Sequence, residues 1–198
     1  MQYPDLSLVA LRFKLGLGPE VVGEAELRSL QTQFVSVCEK EELGPLYTRV
    51  ASELGWPRNV ELVVRLESAN ARRLDELNAR IKDAEENQGE IEVREALLAK
   101  ATYLCRIGDK DAALTAFRVA GEKTVSLSQR LDISFTLIRL GFFFDDNDLI
   151  SKSIEKARFQ LEEGGDWDRK NRLKVERKEG KKKFFKKKKK KRFMRAFI

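Results

Sequence analysis

An all-α fold, a right-handed solenoid of helix-turn-helix repeats, is predicted for this 198-residue chain by three observations. Apolar residues recur at steps of three and four rather than in the alternation of a half-buried strand. Only four prolines are present, so little interrupts helical runs. Residues 91–127 recur in degraded form 37 residues later, the mark of a repeat architecture. Apolar residues make up 42% of the chain, enough for a true core.

The first 58 residues read as short helices. Leu6, Val9, Ala10, Phe13 and Leu17 share one stripe, which "GLGPE" breaks. A second stripe runs through Leu27, Leu30, Phe34, Val37 and Cys38. After "LGP" a third helix carries Leu46, Val50 and Leu54 and stops at "GWP". Residues 59–88 form one long charged helix, from Asn59 to about Asn87, with Val63, Leu66, Asn70, Leu74, Leu77, Ile81 and Ala84 along a narrow face. Such a face suits a coiled coil or an edge packed on neighbouring helices. The run is short and Asn70 interrupts it, which favours the second.

Residues 89–175 read as helical repeats. In the first pair Ala101, Gly108, Ala113, Phe117 and Ala120 fall where a tetratricopeptide-like hairpin needs small residues at the helix crossing and an aromatic beside them. A shift of 37 residues carries Ala113, Phe117 and Ala120 onto Ile150, Ile154 and Ala157, with "GDKDA" over "DDNDL". The second pair is weaker, since Ile138 and Ile150 stand where small residues are expected. Its helices are predicted over 131–144 and up to Glu162, around a turn at 145–148. Next, Gly164 and Gly165 supply a left-handed C-terminal cap, Asp166 an N-cap and Trp167 a packing anchor for a further helix.

Residues 176–198 are different in kind. They hold thirteen Lys or Arg against two Glu, including Lys181, Lys182, Lys183, Lys186, Lys187, Lys188, Lys189, Lys190, Lys191 and Arg192. Residues 1–175 then hold 26 basic and 30 acidic side chains, so the chain's net +7 belongs to this tail. Such a run neutralises phosphates without regard to sequence, with Phe184 and Phe185 available to stack, and also reads as a nuclear-import cluster. Nucleic acid is accordingly expected only as a nonspecific partner of the tail. The low-complexity composition fits translated A-rich and T-rich non-coding sequence better than a working tail. If no further repeat follows, Phe142, Phe143, Phe159 and Trp167 are expected to leave apolar surface uncovered.

Candidates for chemistry are few. Histidine is absent, which removes Ser-His and Cys-His nucleophile activation and the commonest zinc ligand. No phosphate-cradling glycine loop occurs. "DDND" at 145–148 lacks the glycine and distant glutamate of a calcium loop and reads as an acidic turn with an N-cap. Cys38 and Cys105 are far apart in sequence, as in a reducing compartment, and Cys105 reads as a buried inert thiol. The longest apolar stretch, "ISFTLIRLGFFF", contains Arg139 and is too short to span a bilayer. No catalytic, cofactor-binding or metal residues are assigned, and no cofactor is expected.

The strings "LNARIKDAEENQGEIEVREALLAKATYLCRIGDKDAALTAF", "DNDLISKSIEKA" and "EEGGDWDRKNRLKV", with "LGPLY" upstream, resemble the 26S proteasome lid subunits in which helical repeats precede a PCI domain. The likeness is dense from Leu77 to Val175 and looser from Leu6 to Asn70. It implies a non-catalytic scaffold in the regulatory-particle lid, with the other lid and base subunits as partners, supporting ubiquitin-dependent degradation in cytoplasm and nucleus. Residues 176–198 bear no likeness to the family, so the expectation is a repeat array cut short, without the PCI domain.

Overall fold

The computed structural model describes residues 4–164 and 170–174, and every regular element among them is helical. Two compact units meet between Lys123 and Thr124.

The first unit opens with α1 (Ser7–Leu15), the single turn α2 (Pro19–Val22) and α3 (Glu24–Lys40). In α1 the expected stripe is not the buried one. Leu8 and Leu15 are buried with Leu11 and Arg12 partly so, whereas Phe13 is 60% exposed and Leu6 and Ala10 also face outward. The buried face is the one that α3 covers, and Arg12 beside it reaches Glu53 at 3.1 Å. In α3 Phe34 and Cys38 are fully enclosed, and Phe34 meets Trp56 edge-on with ring centres 6.0 Å apart. The chain then turns through Glu42, at φ 55°, into α4 (Gly44–Glu53), which buries Leu46, Tyr47, Val50 and Ala51.

α5 (Val60–Asn87) starts where the sequence places it, because the Asn59 side chain accepts the Leu62 amide at 3.1 Å. Its buried face carries Leu62, Val63, Leu66, Asn70, Leu77 and Ala84, and it packs on α4 and α6. α6 (Glu90–Ile107) and α7 (Lys110–Glu122) form a hairpin. Gly108 closes α6 in the left-handed conformation at φ 80°, and the Asp109 carboxylate caps α7 by accepting the Ala112 amide at 3.1 Å. A Cβ on Gly108 would lie 2.7 Å from that of Leu46, so the hairpin turn abuts α4 where only glycine fits.

The second unit is the hairpin of α8 (Leu127–Phe144) and α9 (Asn147–Gly164). α8 begins four residues earlier than predicted, because Leu127 and Leu131 both pack into the hairpin core with Phe135, Ile138, Ala157 and Leu161. Residues 170–174 are helical, with Leu173 buried in the same core and the Arg172 guanidinium 4.3 Å from the centre of the Phe135 ring. Phe142 is partly buried against this core and Phe143 is 3% exposed, while Phe159 is 64% exposed. The expected uncovered patch is thus reduced to Phe159 among the described residues. α8 is apolar nearly all round, so its last turn is enclosed.

Candidate interaction scaffold

The two hairpins keep one register. Glu90 and Leu127, Ile107 and Phe144, and Lys110 and Asn147 begin or end equivalent helices 37 residues apart. Their turns match in conformation as well as length. Asp145, at φ 56°, stands where Gly108 stands, and Asp146 caps α9 through the Leu149 amide at 2.9 Å, as Asp109 caps α7. "DDND" is therefore spent on a C-cap and an N-cap, and among the described residues no group of three His, Cys, Asp or Glu is placed to hold a metal ion.

Ala101, Ala113 and Ala120 are completely buried in the first hairpin and Phe117 is 3% exposed; in the second, Ala157 is completely buried and Ile154 partly so. The isoleucines that weakened the second match have a counterpart outside the quoted positions. At Gly141 a Cβ would fall 2.6 Å from Cγ1 of Ile150. The 37-residue register pairs Gly141 and Ile150 with Leu104 and Ala113, so large and small residues have exchanged helices between the hairpins. Gly164 ends α9 at φ 158°, a conformation that L side chains rarely adopt, and its partner in the expected cap, Gly165, falls beyond the end of that helix. Gly165, Asp166, Trp167 and the basic residues from Lys181 to Arg192 lie outside the described residues.

Two polar links were not legible from spacing. Buried Asn70 donates through its amide to the Glu42 carbonyl at 2.8 Å and to the Tyr103 hydroxyl at 3.0 Å, joining α5 to the α3–α4 turn and to α6. In the second unit the Ser134 hydroxyl donates to Gln160 at 2.9 Å with both side chains buried. An asparagine on an apolar stripe was the one visible sign of the first. Both cysteines are buried and neither is in a disulfide. Loss of solvation pushes the Cys38 thiol up to about 12, away from a reactive thiolate.

Capped helix pairs with small residues enclosed and charged outer faces define a helical-repeat protein. The comparisons narrow that class. A family model described as 26S proteasome subunit RPN7 matches residues 59–177, beginning at the cap of α5. The 26S proteasome non-ATPase regulatory subunit 6 of Dictyostelium discoideum is 44% identical over 172 residues, covering 87% of this chain and 44% of that protein. The Caenorhabditis elegans subunit of the same name is 43% identical over 176 residues, covering 87% and 42%. Regulatory subunit RPN7 of Saccharomyces cerevisiae is 36% identical over 116 residues, covering 58% and 27%. The chain belongs to the RPN7 family of 26S proteasome subunits. It spans less than half the length of these relatives.

Among the described residues no helix is long and apolar enough to cross a membrane.

Proposed function

We propose that this chain is a non-catalytic scaffold of the 26S proteasome regulatory-particle lid, serving ubiquitin-dependent degradation through contacts with other lid and base subunits, in cytoplasm and nucleus. The observation that carries this reading is the 44% identity to a proteasome regulatory subunit across 87% of the chain. The division of labour follows the sequence: short helices over 1–58, a long charged helix over 59–88, repeats over 89–175 and a Lys-rich segment over 176–198. In the repeats Ala101, Ala113, Ala120 and Ala157 let paired helices approach, Gly108 turns the chain between them, and Phe117 and Ile154 fill the grooves that result. No cofactor enters this role.

Affinity purification of the tagged full chain from cells tests it. Lid subunits are expected to co-purify in wash salt high enough to strip nonspecific contacts made through lysines. A chain that runs free of every proteasome subunit under both low-salt and high-salt washes would overturn the proposal.

A further inference from the structure

α5 carries a second stripe besides the one it buries. Positions 60, 64, 67, 71, 74, 78, 81 and 85 step alternately by four and three, the spacing of a heptad seam, and lie about a quarter turn round the helix from the buried face. Val60 is 67% exposed and Val64 55%, and Ala71 is exposed as well, while Leu74 and Ile81 are half-buried on the side nearest the core. Covering these side chains is favourable in proportion to the apolar area removed from water.

The charges along this stripe are one-sided. Glu67 and Glu85 lie within it and Glu61 and Asp75 beside it; all four are exposed, and none makes an ion pair among the described residues. The one base that α5 itself places there, Lys82, pairs with Glu86 at 3.7 Å. On the opposite flank of the helix acids and bases are matched, with Arg65 meeting Glu39 and Arg73 meeting Glu76. Four uncommitted carboxylates along an apolar strip attract a surface of opposite charge.

We propose that this face of α5 docks an amphipathic helix of a protein partner whose apolar stripe is flanked by Lys or Arg. A helix is the occupant that heptad spacing selects, since side chains at steps of three and four interlock with a partner of the same spacing, whereas a strand presents every second residue. The basic flanks follow from the four carboxylates, which an acidic helix would meet with repulsion. Asn78, exposed within the seam, supplies a polar position that sets the partner's register. The lid reading does not depend on this face, so either can fail alone.

The probe is a fluorescein-labelled peptide of about three heptads with Leu at the seam positions and Lys on both flanks, titrated with the full chain at physiological salt and followed by anisotropy. A scrambled peptide of the same composition and a peptide with Glu flanks are the comparisons. The Lys-rich residues 176–198 repel this probe, so they do not supply a competing site. Three substitutions at exposed positions locate the binding: Glu67→Lys and Val64→Gln on the seam, and Glu155→Lys on α9 as a matched change of charge elsewhere. The expected result is saturable binding of the Lys-flanked peptide alone, weakened about fivefold by Glu67→Lys and about threefold by Val64→Gln, and unchanged by Glu155→Lys. Absence of saturable binding, equal binding of the scrambled peptide, or a loss in Glu67→Lys that Glu155→Lys matches or Val64→Gln does not share overturns the proposal.

Discussion

At Gly108 two demands coincide: a left-handed backbone and a side-chain space already filled by Leu46. Gly108→Ala is therefore expected to lower stability by about 2–4 kcal/mol, from the left-handed strain and the overpacking together, read as a lower urea midpoint at unchanged slope. Asn70 shows a different residue-scale logic. Asn70→Ala strands the Glu42 carbonyl and the Tyr103 hydroxyl and should cost about 1–3 kcal/mol, with Tyr103→Phe costing less, since it removes one of the two bonds. Cys38 links stability to pH. Its thiol keeps its proton in the folded state until about pH 12, while the unfolded thiol ionises near 9. The native state then binds more protons across that window, so stability is unaffected below about pH 9 and falls as pH rises toward 12, by at most about 1.4 kcal/mol per unit. Comparing urea midpoints of wild type and Cys38→Ser at pH 8 and 10 isolates this contribution: the gap between them should narrow at pH 10.

The helical elements differ in how openly the sequence displays them. α5 was readable to within one residue of its start, because its apolar positions fall on one face. α1 was readable as a helix but not in its orientation. Its apolar residues occupy two faces, and the choice was made by α3 and α4, which no local pattern encodes. The second hairpin was readable in register but looked degraded, since the match was sought at Ile138 and Ile150 and the compensating glycine lay at 141. That compensation is testable as a coupling. Gly141→Ala should cost about 1–3 kcal/mol in the wild-type hairpin. In an Ile150→Ala background the cost should shrink but not vanish, because the clashing Cγ1 is gone while the Ile150 nitrogen at 3.1 Å and the Asp146 carbonyl at 3.3 Å still crowd the new Cβ. Strictly additive effects in the double-mutant cycle would show that the two positions do not share one space.

For the molecule as a whole, the division of charge sets how it behaves toward anionic surfaces. Residues 1–175 carry 26 basic and 30 acidic side chains, whereas 176–198 carry thirteen and two. Ion pairs on the helices, such as Arg118 with Glu122 and Arg158 with Glu162, further neutralise the outer faces locally. Attraction to phosphate or sulfate polymers should therefore come from residues 176–198 and show the steep salt dependence of counterion release. The full chain is expected to be retained on heparin at low salt and released at moderate salt, and a chain ending at Val175 to flow through. Far-UV circular dichroism should show the shorter protein still strongly helical, since the core that Leu173 completes is present in it. Retention of the shorter chain at low salt would place the anionic affinity on the helices instead.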